Sequence, residues 1–550
     1  MFKSGHSDTF TRDNLPTEAD WPELLFDLPE LKYPERLNCA AELLTGAIDN
    51  GFADRPAIVW ADSKWTYRQL DQLSNRIAHA LTADWGLVPG GRVLLRGSNS
   101  AMMIACWYGV LKAGGVVVTT MPMLRAPELK TILVKAHIKL ALCEESMLGE
   151  MHTLGDEFSD LQTFCFGTKN ADLEQAIKDK PGFFAPCDTA QDDVALLAFT
   201  SGTTGQPKAC MHFHRDVLAM ADGYAAHILE PTEHDVFCGS PPIAFTFGLG
   251  AIVVFPARFG SAVALPSANG ADALLDTIET HSVTMLFTAP TAYRALLNLV
   301  KNRALSSLRC CISAGETLPA ATWHAWKDKT GLSLMDGIGA TEMIHIFLSA
   351  KLDEIRPGFT GKAVPGYHAC LMDNAGNILP PPAEGRLAVK GPTGCRYMAD
   401  DRQKAYVVNG WNVTGDTYRQ DEDGYFAFVA RSDDMIISSG YNIGGPEVEE
   451  ALLNHPLVKE CAVIGVADEK RGQIVKAYIV SDAEQNDALV KSLQDHVKQS
   501  IAPYKYPRAI EFLDSLPKTQ TGKVQRYKLR PASTPPSTPV STPAPTVKET

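Results

Sequence analysis

Phe199, Thr200, Ser201, Gly202, Thr203, Thr204, Gly205, Gln206, Pro207 and Lys208 place four hydroxyls, two glycines and a lysine in one short stretch. Glycines let the backbone curl until successive N–H groups converge on one anion. The hydroxyls add donors and the lysine adds a positive charge. By chemistry this is a phosphate cradle; its Gly-Thr-Thr-Gly taken alone would also suit an ordinary surface turn. It is not the usual P-loop, which needs four residues between its glycines and then Gly-Lys-Ser/Thr opening a helix. Pro207 turns Gln206 away from the helical region. The spacing therefore predicts strand, loop, strand, with the apolar run Val194–Phe199 leading in and Ala209–His214 leading out.

Three further groups carry chemistry. Asp336, Gly337, Ile338, Gly339, Ala340, Thr341 and Glu342 combine glycines that admit a flat ligand, a hydroxyl donor for phosphate, and a hard oxygen for Mg2+. Thr414, Gly415 and Asp416 set a carboxylate after a glycine turn, suited to accept two ribose hydroxyls. Pro517–Val524 uses Gly522 to present Lys523. Each alone also fits a solvated turn. His212 and His214 alternate on an expected strand, so they share one face and are a possible metal pair, or simply a polar strand face.

The elements that must position these groups alternate between types. Strands are expected at Ala57–Trp60, Arg92–Arg96, Val116–Thr119, Lys139–Cys143, Val194–Thr200 and Met285–Phe287. Helices are expected at Cys39–Asp49, at about 68–81 capped by Thr66, at Ala101–Ala113, and at Val217–His227 capped by Asp216. That pattern predicts an α/β fold of layered, largely parallel sheets. After Tyr418 the character changes. An acidic turn, Asp421–Gly424, separates two short strands, and Arg431–Asp434 is a charged junction. A compact α+β unit is expected beyond it, with helices at Glu447–Leu453 and Leu489–Ile501 and strands at Val458–Val466 and Val475–Val480. Pro531–Thr550 is Pro-, Ser- and Thr-rich and is expected to be disordered. The organisation predicted is a large domain 1–432, a small α+β domain 433–530, and a tail 531–550.

At 550 residues the chain exceeds one core. A net charge of -13 argues against nucleic acid as the main partner. No run of apolar residues is long enough to span a membrane. The N-terminus lacks a signal-peptide core, and the 12 cysteines show no Cys-x-x-Cys pair, so a reducing cytoplasm is the simpler expectation.

These motifs, in this order across residues 199–523, resemble those of the adenylate-forming superfamily of acyl-CoA ligases, adenylation domains and luciferases. The resemblance implies a large AMP-binding domain followed by a small mobile one. It implies ATP, Mg2+ and CoA as reactants, and phosphate held by Thr200, Ser201, Gly202, Thr203, Thr204, Gly205 and Lys208. It places adenine against Ala314, Gly315, Glu316, Asp336, Gly337, Ile338 and Gly339, with Ile338 where relatives carry tyrosine. Asp416 and Arg431 would hold the ribose, and Thr341, Glu342 and Lys523 would serve catalysis, Glu342 as the Mg2+ ligand. Asp433 matches the hinge. Ser439, Gly440 and Tyr441 match the pantetheine passage, while Asn442 replaces an arginine of many relatives. Lys523 is often acylated in relatives, which implies a lysine acetyltransferase as a possible partner.

For the acid, Phe245, Phe247, Gly248, Gly339 and His345 resemble the substrate wall of benzoate-type ligases. The stretches Arg12–Pro16 and Tyr33–Asn38 resemble 2-aminobenzoate–CoA ligases. A flat aromatic acid between phenyl rings and glycine backbone is physically reasonable. The expected activity is ligation of 2-aminobenzoate or a close benzoate to CoA. The alternative is loading of an aryl acid onto a carrier protein. The state is expected to be monomer or homodimer.

Overall fold

Apolar runs too short for helices and flanked by glycine or proline form parallel strands here, covered by apolar helices. A computed structural model describes residues 1–155, 157–200, 207–431, 434–438, 441–468, 471–518 and 524–530. By packing, the chain divides into two units: Met1–Thr414 with Tyr418–Phe428, and Gly415–Thr417 with the chain from Val429 onward.

The larger unit holds two sheets that bear on the site. One runs Gln162–Phe166, Leu140–Glu144, Arg92–Arg96, Val116–Thr120, Val194–Thr200, Lys208–Phe213. Its neighbours are parallel except the last pair. Arg92–Arg96 is buried throughout, and the helix Ala101–Lys112 is almost wholly buried. The other sheet has nine strands, with a parallel centre that includes Met285–Thr288, Cys310–Ala314 and Leu334–Gly339. Ile346–Ser349 then returns antiparallel to Leu334–Gly339.

Local sequence accounts for much of this. Thr66 caps the helix Tyr67–His79: its hydroxyl accepts from Gln69 N–H while the Gln69 side chain accepts from Thr66 N–H, two otherwise orphaned donors satisfied at once. Asp216 departs from expectation. The strand ends at Phe213 and the helix His214–Met220 starts at once, continuing as a π-helical stretch Ala221–Leu229. Asp216 thus lies inside the first turn and accepts from Phe213 N–H at 3.0 Å. The same early start separates the two histidines. His212 is on the strand, and His214 begins the helix, where its Nδ1 accepts from Cys39 N–H at 3.2 Å. They do not share a strand face.

In the smaller unit, Tyr441–Ile443, Ile436–Ser438, Gly472–Val480 and Glu460–Asp468 form an antiparallel sheet, with Ala509–Phe512 added parallel to Gly472–Val480. Helices Gly445–Leu453 and Asp487–Ser500 bury Val448, Leu452, Leu493 and Val497 against it. Among the described residues no helix is long and apolar enough to cross a membrane.

Candidate active site

The glycine-rich loop is framed by its two strands. Val194–Thr200 pairs antiparallel with Lys208–Phe213, and Thr200 faces Lys208 at the loop's base. The strand–loop–strand expectation is therefore met in both arms; Ser201–Gln206 lies outside the described residues. A third segment lies beside the second arm, where Met211 N–H donates to Arg396 O at 2.8 Å and Met398 N–H to Ala209 O at 2.9 Å. That places Tyr397 beside the lysine. Lys208 Nζ donates to Tyr397 Oη at 3.1 Å and sits 4.7 Å from the ring centroid. The Tyr397 hydroxyl donates in turn to Glu342 Oε1 at 2.5 Å.

His212 supplies a second brace, its Nε2 lying 2.8 Å from the Thr341 carbonyl. Beneath both, Asp216 and Arg396 form an ion pair with neither side chain exposed. Burial works against the Asp216 charge, but Arg396, with His212 and Arg215 adding to it, outweighs that cost and holds the carboxyl below its ordinary range. The expected phosphate-side residues Lys208, Thr341 and Glu342 are thus brought together. Tyr397, His212 and the Arg396–Asp216 pair were not singled out for this role. Tyr397 carries no local pattern, and only the cross-strand register shows its place.

The flat-ligand side is built at the carboxyl ends of adjacent parallel strands, where ligands sit in open α/β sheets. Ala314 pairs with Gly337. Gly315 takes a positive φ of 88° with open space around its Cα. Glu316 accepts from both the N–H and the hydroxyl of Thr291. Asp336 is buried enough that its carboxyl is pushed up to about 7, against the opposing pull of the Thr360 hydroxyl and Gly337 N–H. Ile338 is half-buried and Gly339 exposed.

Of the expected acid-binding residues, Phe247, Gly248, Gly339 and His345 come together, while Phe245 is seen only at the start of a short helix. Phe245 caps the short helix Thr246–Leu249, and Leu249 N–H donates to its carbonyl at 2.8 Å. Phe247 lies 5.8 Å from the His345 ring and 5.8 Å from Phe287. His345 is 2% exposed, boxed by Phe255 at 4.7 Å and Tyr224 at 5.4 Å. Among the described residues neither ring nitrogen has a hydrogen-bond partner. Burial lowers its pKa to about 3, against a weaker pull from the Phe247 backbone, so the imidazole is neutral. Glycines make this packing possible. A Cβ on Gly248 would lie 2.2 Å from Pro242 O, and one on Gly339 would lie 2.6 Å from His345 O. Asn99 fixes the approach to the helix: it donates to Pro241 O at 3.0 Å and accepts from Ile243 N–H at 2.9 Å.

In the smaller unit Asp416 pairs with Arg431 at 3.2 Å. Tyr441 is exposed and stacks on Tyr504 with centroids 4.5 Å apart. Asp433, Ser439, Gly440 and Lys523 lie outside the described residues, as do the side chain of Asn442 and the tail Pro531–Thr550. The flanks of the Lys523 turn are seen: Lys518 and Val524 pair antiparallel. Among the described residues no group of three His, Cys, Asp or Glu side chains could cage a metal.

Residues 47–397 match the model of the AMP-binding enzyme family, and residues 447–523 that of the AMP-binding enzyme C-terminal domain. The chain is 34% identical to the benzoate–CoA ligase of Thauera aromatica over 520 residues, covering 92% of this chain and 98% of that protein. A crystal structure of the anthranilate CoA ligase AuaEII with anthranoyl-AMP superposes with a TM-score of 0.87 at 33% identity, over 91% of this chain and 98% of that one. A benzoate CoA ligase from Burkholderia xenovorans LB400 gives a TM-score of 0.82 at 31% identity, over 90% and 100%. The sheet framework, the paired strands at the glycine-rich loop and these matches agree, and the chain belongs to the AMP-binding enzyme family as an adenylate-forming, benzoate-type acyl-CoA ligase.

Proposed function

We propose that this AMP-forming ligase acts on 2-aminobenzoate or a closely related benzoate. The observation that carries the reading is the Phe247–His345 wall, closed by glycine contacts at Gly248 and Gly339. It is aromatic and neutral, as an aromatic ring requires. The names of the relatives above support it.

ATP and CoA are the co-substrates of this family. A carboxylate oxygen of the acid bonds to the α-phosphorus of ATP as the bond to the β-phosphate breaks, giving acyl-AMP and pyrophosphate. The CoA thiolate then bonds to the acyl carbonyl carbon and AMP leaves. In our reading the loop Thr200–Gly205 and Lys208 hold the phosphates, Ala314–Glu316 and Asp336–Gly339 the adenine, and Asp416 with Arg431 the ribose. Lys523 offsets charge at the α-phosphate. Glu342 is fit to hold Mg2+ together with ATP oxygens, because that ion is usually bound by one or two carboxylates plus phosphates rather than an all-protein cage. Mg2+ there would supply charge neutralisation. Rotation of 433–530 about Asp433 would exchange Lys523 for Gly440, a hinge motion of known type. Acetylation of Lys523 would then block the first half-reaction only.

The test is a panel of benzoate and its 2-, 3- and 4-substituted analogues. Pyrophosphate release with the acid alone, then AMP release only on adding CoA, is expected. An isolated substituent shifts discrimination by about 1–3 kcal/mol in an apolar pocket, so 2-aminobenzoate should lead the panel by about tenfold or more. Preference for an aliphatic acid would overturn the assignment, and CoA-independent transfer to a carrier protein would replace it with carrier loading.

A further inference from the structure

Lys208 and Glu342 belong to segments far apart in sequence, one on a strand of the six-stranded sheet and one after a strand of the nine-stranded sheet. What joins them is Tyr397. Its hydroxyl accepts from Lys208 Nζ at 3.1 Å and donates to Glu342 Oε1 at 2.5 Å. The ring adds a second hold on the lysine, with the ammonium 4.7 Å from its centroid. The side chain is fully buried. Burial, and then the nearby Glu342 carboxylate, push the phenol pKa far upward, so the hydroxyl keeps its proton and remains a donor.

The backbone under Tyr397 is fixed on both sides. Its own N–H donates to Gln403 Oε1 at 2.9 Å, and Gln403, itself buried, donates from Nε2 to Cys395 O and to Asp20 O. Arg396 before it is locked to Asp216, and Met398 after it bonds to Ala209 O. Two buried neighbours thus aim one hydroxyl at a cation and an anion at once. For packing alone, phenylalanine would fill this position. The hydroxyl is the part that packing does not explain.

We propose that Tyr397 is a positioning residue for acyl-AMP formation, holding Lys208 and Glu342 in register so that both meet ATP oxygens without first searching for them. The proposal rests on the roles given above to Lys208 and Glu342. It acts before the thioester step and leaves that step untouched. A direct Lys208–Glu342 ion pair would neutralise both groups; with a phenol between them, each keeps its charge for the nucleotide.

The test compares Tyr397→Phe, which keeps the ring, with wild type in the two half-reactions and in binding. Loss of one charge-assisted hydrogen bond corresponds to about tenfold or more, so ATP–pyrophosphate exchange should slow at least that much, with the concentration of Mg2+ for half-maximal ATP binding raised several-fold. Thioester formation from supplied acyl-AMP should be unchanged, and the melting temperature should move little. Adding Tyr397→Phe to Glu342→Gln should cost much less than the product of the two single effects. Equal slowing of both half-reactions, unchanged exchange, or multiplying effects would overturn the proposal. Should Tyr397→Phe prove unstable, Lys208→Arg and Glu342→Gln singly and together give the same coupling at the other ends of the contact. Absence of exchange in wild type with every aryl acid would instead overturn the functional assignment.

Discussion

The two walls of the larger unit's site are held by different physics. The phosphate side is held by directional contacts: Lys208 to Tyr397 to Glu342, His212 to Thr341, and Arg396 to Asp216. The proposed acid side is held by shape: glycines that admit no Cβ and an imidazole, with no hydrogen-bond partner among the described residues, packed among aromatic rings. A hydrogen-bonded wall should tolerate lost volume and fail on lost chemistry. A shape-held wall should do the reverse. On the roles proposed above, one half would fix what every substrate shares, ATP, and the other half would change with the acid.

The contrast breaks first at Asp216. Asp216→Ala leaves Arg396 buried without its partner, and breaking such a pair costs about 3–5 kcal/mol. Thermal unfolding should show this as the largest loss among these variants, accompanied by loss of exchange. A cost below that of an ordinary surface change would mean that the pair is not what holds this wall.

Gly248→Ala tests the other wall. The new Cβ would lie 2.2 Å from Pro242 O, a backbone atom that cannot swing aside. Overpacking of this kind costs about 1–3 kcal/mol. The KM for the aryl acid should rise about tenfold or more on the same scale, with the KM for ATP unchanged. A change in the ATP term instead would merge the two walls.

His345→Leu sharpens the distinction. With at most a weak contact to the Phe247 backbone to lose, stability at pH 7 should stay within about 1 kcal/mol of wild type. The pKa of His345 falls from 6.5 in the unfolded chain to about 3 in the fold. Between those values the unfolded state binds the extra proton, so stability rises with pH and is lost as pH falls below 6.5. The slope is up to about 1.4 kcal/mol per pH unit. His345→Leu should flatten that acid-side loss in denaturant titrations at pH 5 and 7. An unchanged slope would show that the histidine is not sealed as described.

Asp416→Asn keeps the size of a buried side chain, and its ion pair with Arg431, 47% exposed, is one that solvent screens to about 0–1 kcal/mol. If the carboxylate holds ribose as proposed, AMP affinity should nonetheless fall about tenfold. Unchanged affinity by calorimetry would remove Asp416 from the nucleotide site.

Much of this architecture is legible in the chain. Val194–Thr200 and Arg92–Arg96 are strands with the expected bounds, because each is an apolar run ended by turn chemistry. The capping box at Thr66 and Gln69 is a local signal and is found where the sequence places it. Motif order identified the family because each motif is a short, contiguous answer to one ligand group. What escaped is non-local. His212 looks like half of a metal pair until Thr341 arrives beside it from another sheet. Asp216 has the look of a cap, yet its main partner is Arg396, and no local rule links the two. Tyr397 is invisible for the same reason.

The N-terminal segment shows a related dependence in time. Phe2 N–H and Gly5 N–H donate to Asp192 and Asp193, and Ser4 Oγ donates to Asp193 Oδ1. These two aspartates lie at the foot of the strand that leads into the glycine-rich loop. The contacts span 188 to 190 residues of chain, so this clasp can fasten only after Asp192 and Asp193 have been made. A change at Ser4 or Gly5 would therefore be felt at the root of that strand.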